Sequence, residues 1–180
     1  MRNRGCMSAG TIGIALLVIA AILFFWGKNG YNSFTTKEQN VNTKWSNVET
    51  VYQKRANLIP NLERTVKSYS QFEQETLTKV IEARSKATSM TIDPTNMTEA
   101  DMAKFQAAQG ELSGALSGLM AVVEQYPNLK ADQQYMNFQR EYTAIENSIR
   151  SETVYYNEAA QDYNTSIKTF PNNILANFTN

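Results

Sequence analysis

The amino-acid sequence predicts an all-α protein: a single amino-terminal transmembrane helix, then an antiparallel up-and-down bundle of four helices. Three observations carry that prediction. The run 6–27, CMSAGTIGIALLVIAAILFFWG, holds no charged residue. Beyond it, apolar residues recur at gaps of three and four, the seam of a packed helix. The breaks in that rhythm fall at Pro60, at 89–96 and at Tyr126-Pro127-Asn128, all of them turn chemistry.

The anchor comes first. Residues 7–27 number 21, which at roughly 1.5 Å per residue reach about 31 Å, enough for a hydrocarbon core of about 30 Å. A cleaved secretory signal has a shorter apolar core and a small-x-small site, whereas this run ends in Phe24-Phe25-Trp26 before Lys28. Cys6 precedes the apolar run, whereas a lipid-attachment cysteine follows one, so the helix itself is the anchor. Arg2 and Arg4 crowd the short amino-terminal side, against the sparser Lys28, Lys37 and Lys44 beyond. The positive-inside rule then places residues 1–5 in the cytoplasm and the remainder on the extracytoplasmic side. Cys6 is the only cysteine, so the body has neither a thiol to protect nor a disulfide to form.

The body is mildly acidic. Setting aside Arg2, Arg4 and Lys28 leaves 14 of the 17 basic residues against all 17 acids, a net charge of −3. No basic stripe or aromatic-basic interleaving supports nucleic-acid binding. Its 152 residues, 29–180, make one ordinary domain. The expected organisation is a cytoplasmic stub at 1–5, the anchor at 6–27, the bundle at 28–170 and a tail at 171–180.

Within the bundle the first stripe is Val41, Trp45, Val48 and Tyr52, and its phase continues through Ile59, Leu62, Val66 and Tyr69. A proline inside a helix loses a hydrogen bond and clashes with the preceding turn. We therefore divide the stretch into a first helix at 31–57 and a second at 60–88, with Pro60 at a tolerated first-turn position. The competing layout keeps both as one rod kinked at Pro60, giving three long helices. In that layout the exposed stripe of the first helix requires a second copy. The second stripe goes on through Phe72, Leu77, Val80, Ala83 and Ala87 to the loop at 89–96.

Thr98 with Glu99 and Asp101 caps a third helix that runs to Tyr126. Its stripe is Met102, Phe105, Gln109, Leu112, Leu116, Leu119, Val123 and Tyr126. Gly110, Gly114 and Gly118 form a G-x-x-x-G-x-x-x-G ladder on it. Each costs roughly 0.8–1 kcal/mol against Ala in a helix interior. Such a face admits a close backbone, so the ladder is a candidate for tight packing within the domain or for self-association. After the turn at 126–130 the fourth helix spans 131–169, with Tyr135, Phe138, Tyr142, Ile145, Ile149, Tyr156, Ala159, Tyr163, Ile167 and Phe170 on its stripe, until Pro171 stops it. Arg55 and Glu152 occupy seam positions and are expected to escape along its edge, the alternative being a buried ion pair. Tyr-Asn recurs at Tyr31-Asn32, Tyr156-Asn157 and Tyr163-Asn164, each Tyr expected on the core and each Asn in water. The N-x-[ST] patterns at Asn96, Asn164 and Asn177 are those expected by chance in an Asn-rich chain.

The series Tyr31-Asn32, Trp45-Ser46, Arg55-x-x-Leu58-Ile59-Pro60-Asn61-Leu62, Val66-Lys67-x-Tyr69, Ala83-Arg84, Glu124-x-Tyr126-Pro127-x-Leu129-Lys130-Ala131, Glu146-Asn147-x-Ile149, Tyr156-Asn157, Tyr163-Asn164 and Phe170-Pro171 resembles the LemA family of bacterial membrane-anchored proteins. The resemblance covers nearly the whole chain, in order. It implies an amino-terminal membrane helix, a helical bundle and a place in the bacterial cell membrane, and it supplies no catalytic residues. The glycine ladder is denser than the resemblance implies. Family members often continue past the Phe-Pro motif into an aromatic-rich tail, so a native chain longer than 180 residues stays open.

Catalytic chemistry has little to work with. With no histidine in the chain and no cysteine after Cys6, His-based general bases, Cys nucleophiles and ordinary zinc sites are excluded. The Glu-x-x-His pairs of di-iron bundles, Gly-rich phosphate loops and nucleophile elbows are missing as well. No catalytic residue, metal, cofactor or small-molecule substrate is therefore expected. The expected function is a membrane-anchored scaffold that self-associates as a homo-oligomer or binds other membrane proteins. Pro60, Asn61, Pro127, Asn128 and Lys130, gathered at the pole distal to the membrane, are its candidate partner surface. The alternatives are a lipid-surface module that returns Ile174, Leu175 and Phe178 to the bilayer and, remotely, an enzyme.

Overall fold

A computed structural model of the chain describes residues 9–90, 92 and 97–179. Arg2, Arg4 and Cys6, with most of the 89–96 loop and the Asn96 pattern, lie outside the described residues. Those residues form helices and turns, with no strand among them. The helices are α1 (Ala9–Lys67), α2 (Gln74–Ser89), α3 (Glu99–Val123), α4 (Pro127–Lys130, a single turn), α5 (Gln133–Lys168) and α6 (Asn172–Thr179). They divide into two compact units, one of residues 42–157 and one of 158–180 with the chain up to 41.

Residues 42–157 form the antiparallel bundle. Trp45 of α1 meets Tyr156 of α5, Arg55 meets Glu146 and Tyr69 meets Asp132, so ascending one helix descends the other. The α2–α3 hairpin is tied the same way, by Lys86–Glu111 and by Gln109 to Ala87. The predicted stripes supply the core: Ile59, Leu62, Val66, Phe72, Leu77, Val80, Leu112, Leu116, Leu119, Val123, Tyr135 and Phe138 are all buried in one cluster. A second cluster packs Trp45 and Val48 against Phe105 and Ile92, with Trp45 edge-on to Phe105 and to Tyr156 at 5.4 and 5.2 Å. The stripe of α1 is thus covered from within the chain, and a second copy is not required on that ground. Thr98 and Asp101 form the reciprocal capping box expected at the start of α3.

The division at Pro60 is corrected. α1 runs through Pro60 to Lys67, and the chain turns at 68–73 instead. Pro60 has no N–H, so the carbonyl of Ala56 loses its helical donor. Arg84 of α2 fills that gap, its Nε donating to the Ala56 oxygen at 3.0 Å. Ile59, Leu62 and Val66 on either side of the proline are buried in one cluster, which holds the helix in phase across it. The true turn is built from consecutive backbone bonds, Tyr69 N–H to Val66 and Phe72 N–H to Tyr69, in a Ser-Tyr-Ser-Gln run with neither Gly nor Pro. It therefore carried no punctuation for a sequence reading to find.

In the other unit, α1 over 9–41 carries the anchor. Its most apolar 18-residue window has a mean hydropathy of 2.3 and no side chain buried by the rest of the protein. Phe34 and Ala159 are buried, Lys37 pairs with Asp162 at 2.5 Å, and α6 packs back on the helix. The tail at 172–179 is helical, and Phe170, assigned to the seam by spacing, is exposed. Tyr31 is likewise exposed, whereas Tyr156 and Tyr163 are partly covered and their Asn neighbours face water.

The Pro60–Arg84 relation is testable by a double-mutant cycle on the full-length protein in detergent micelles, unfolded thermally under circular dichroism. Arg84→Met should cost about 1–2 kcal/mol in the native background. Pro60→Ala restores the helical donor and should stabilise, by up to about 3 kcal/mol. In the Pro60→Ala background the cost of Arg84→Met should shrink markedly. Equal costs in both backgrounds would separate the two residues.

Candidate functional site

The most concentrated polar chemistry in the 42–157 unit lies around Arg55, which the structure places inside the bundle and not at the seam edge. Only 2% of it is exposed. Nη1 donates to Glu146 Oε1 at 2.9 Å, and Nη2 donates to the Oε1 and backbone oxygen of Gln109 at 2.6 and 3.0 Å. The guanidinium lies 5.0 Å from the Tyr52 ring centre, which adds a cation–π contact. Gln109 in turn donates through Nε2 to the Ala87 oxygen at 3.4 Å. One residue of α1 thereby reaches α3 and α5 directly and α2 through Gln109. Of the three guanidinium nitrogens of Arg55, only Nε has no acceptor among the described residues. Burial pushes the Tyr52 hydroxyl up from its ordinary range, with Glu146 adding to the rise and Arg55 opposing it. Glu152 does not join the layer: it is half-buried, with Oε2 enclosed and unpartnered among protein groups.

This layer assembles an anion, a cation, an amide and a phenol, but their donors and acceptors are turned on each other. A buried ion pair is costly to desolvate and fixes geometry when it is satisfied. Its place here is to hold the register of four helices.

At the turn end of the bundle, Asp132 is the organising residue. Its Oδ1 accepts from the backbone N–H of Gln134 and Tyr135 at 2.7 and 3.2 Å, capping α5, and its Oδ2 accepts from the Tyr69 hydroxyl at 3.0 Å. Partial burial works to raise its carboxyl, but those three hydrogen bonds together hold it below the ordinary Asp range. Two grooves flank it. Asn61, Arg64, Thr65, Ser68, Asp132 and Gln134 line one; Tyr69, Gln71, Tyr126, Pro127 and Asn128 line the other, with Ser68 shared between them. Asn61, Pro127 and Asn128 are therefore neighbours across Ser68. Pro60, which immediately precedes Asn61, is half-buried and lines neither groove, and Lys130 is exposed and paired with Glu124. Asp132 and Tyr69 were not among the expected site residues; the helix starts at Gln133 and not at 131, which makes Asp132 its cap.

The glycine ladder lies on the outer face of α3. A Cβ placed on Gly110, Gly114 or Gly118 would meet nothing within 4 Å, and all three residues are exposed. Among the described residues nothing packs tightly over them. Together with exposed Ala103, Ala107 and Ala121 they make a row of small side chains, and from 106 to 123 the only charged exposed residue is Glu111.

The sequence pattern of the LemA family matches residues 44–180. The chain belongs to the LemA family. It is 26% identical over 164 residues to Protein LemA of Metamycoplasma hominis, covering 91% of this chain and 71% of that protein. It is 27% identical over 194 aligned positions to Magnetosome protein MamQ 2 of Paramagnetospirillum magneticum, covering 98% and 71%. Against Magnetosome protein MamQ of Magnetospirillum gryphiswaldense the identity is 26% over 166 residues, covering 83% and 61%. The apolar amino-terminal helix and these bacterial relatives point to a single-pass membrane protein of bacteria, and none of the three relatives' names states an enzymatic activity. Several LemA-like motif residues now have physical roles: Arg55 and Glu146 form the buried pair, Arg84 mends the helix at Pro60, and Tyr69 holds the cap of α5.

Two outcomes follow from this geometry. Glu146→Leu, which strands a buried cation, should destabilise the full-length protein by about 2–3 kcal/mol, whereas the Arg55→Met/Glu146→Leu double variant should recover most of that loss in thermal unfolding. Because the folded-state carboxyl of Asp132 is depressed, its contribution is present above the unfolded Asp range and is lost as pH falls through the lower folded value. Asp132→Ala should therefore cost about 1 kcal/mol at neutral pH. The difference from native protein should fade toward strongly acid pH.

Proposed function

We propose that this LemA-family chain is a non-catalytic, membrane-anchored scaffold that assembles with itself through the outer face of α3. The observation that supports this most directly is the open glycine row. Three glycines in a helix interior cost roughly 2–3 kcal/mol against alanine, and no group among the described residues lies within 4 Å of the space their missing side chains leave. A second α3 brought against that row would place two backbones in close contact, as small-xxx-small faces do. The grooves around Ser68, lined by Asn61, Pro127 and Asn128, are the surface we assign to a further membrane-associated protein. The anchor at 6–27, with Arg2 and Arg4 on its cytoplasmic side, would hold the scaffold on the outer side of the cell membrane. Two of its relatives are named as magnetosome proteins, which accords with a role at a membrane without carrying their compartment over to this chain.

The test is the mass of the full-length protein in detergent by light scattering, before and after Gly114→Leu. The native chain should be a defined oligomer and the variant a monomer. Since a side chain at 114 meets open space, the variant should unfold no earlier than the native protein, and a better helix former there should raise stability by up to about 1 kcal/mol. A native monomer, or an oligomer indifferent to the substitution, would defeat the reading.

A further inference from the structure

The unit formed by 158–180 with the start of the chain holds an apolar surface that its own packing leaves uncovered. α6, of sequence NNILANFT, carries no charge. Its inner side is well seated: Ala176 is buried beside Tyr31, Phe34, Tyr163 and Ile167, and Leu175 rests on Gly30. The seat is close, since a Cβ at Gly30 would require the end of the Leu175 side chain to shift. Its outer side is Ile174 and Phe178, four residues apart and so on one face. They are 46% and 84% exposed, and Phe170, just before the helix, is 80% exposed. Two bare phenylalanines and an isoleucine on so short a segment are a poor fit to water, because removing large apolar side chains from water is favourable.

Position along α1 says what covers them. Gly30 is three residues beyond the end of the apolar run at Gly27, about 4.5 Å at roughly 1.5 Å rise per residue. The polar layer on each side of the hydrocarbon core is about 5–8 Å deep. Leu175 thus fastens α6 to α1 about one turn beyond the apolar run, on the same helix that leaves Phe24 and Phe25 exposed. We propose that α6 is an interfacial foot: Phe170, Ile174 and Phe178 enter the leaflet at the carboxyl end of the anchor, and the asparagines remain in the headgroup layer. Partial immersion at this level suits an uncharged amphipathic segment. With no Lys or Arg on α6, the contact draws on apolar burial and requires no anionic lipid.

The inference stands apart from self-association, since a monomer satisfies it equally. It is tested on the full-length chain with Cys6→Ser, carrying a single nitroxide-labelled cysteine at position 174, 178 or, as control, 177, in phosphatidylcholine vesicles. Circular dichroism confirms native helix content for each variant. Collision rates with oxygen, which partitions into lipid, and with a water-soluble nickel chelate report immersion. Labels at 174 and 178 should favour oxygen several-fold relative to the label at the exposed Asn177 position. Nickel access at 174 and 178 equal to that at 177 would overturn the foot. So would spin–spin broadening at 174 and 178 that vanishes on dilution with unlabelled protein, because a second copy would then be the cover.

Discussion

A proline at position 60 leaves the carbonyl of Ala56 without a helical donor, and the bundle of residues 42–157 is arranged around that vacancy and the charge one residue before it. Arg84 reaches from α2 to the Ala56 oxygen, and Arg55 reaches from α1 to Gln109 and Glu146. Gln109 passes the connection to Ala87. Four helices are thus tied at one level by side chains whose partners lie 22 to 91 residues away in sequence. Apolar seams with three-four spacing tolerate sliding by a heptad, because the next set of knobs resembles the last. A buried guanidinium does not tolerate it: one step of slippage would strand a cation in the core. The leucines and valines above and below supply the burial, and the arginine layer selects the register.

What could be read from the sequence was whatever repeats. The stripes from Trp45 to Val66, from Leu77 to Ala87, from Phe105 to Val123 and from Tyr135 to Ile149 are the core, and Thr98 with Asp101 is the capping box, because periodicity and caps are local properties. What could not be read depends on contacts across the fold. Pro60 reads as a boundary until Arg84 is known to stand beside Ala56. Arg55 reads as a side chain leaving the seam until Glu146 and Gln109 are known to face it. The 68–73 turn has no Gly or Pro, and Asp132 gains its weight from a tyrosine 63 residues earlier. Of the expected surface residues, Asn61, Pro127 and Asn128 do gather near one another, but around Ser68 and without Pro60.

Glycine shows the same limit most sharply. The ladder at 110, 114 and 118 attracts attention because it repeats, and the lone Gly30 attracts none. Yet Gly30 is where a neighbouring side chain occupies the space a Cβ would need, whereas the ladder faces open space. Two different physical reasons underlie one residue type. At Gly30 a side chain would displace the end of Leu175 from its seat. On α3 nothing among the described residues stands in the way of one, and the open face is what the proposed self-association would use.

That contrast bears on how a protein with so little reactive chemistry can act. In the 42–157 unit the most buried charged and amide groups are largely engaged with their neighbours: Arg55 with Glu146, Gln109 with Ala87, Asp132 with the start of α5 and Tyr69. Satisfied polar layers of this kind make a bundle stiff and single-valued instead of adaptable. A stiff bundle presents surfaces in fixed positions, and the surfaces presented are small-residue or shallow and polar, suited to backbones and turns more than to enclosed small molecules. The unit that carries the anchor differs in kind, because its unsatisfied surface is aromatic and lies at the level where the membrane helix leaves lipid. Fixed faces on one unit and an apolar edge on the other accord with a protein that acts by position at a membrane.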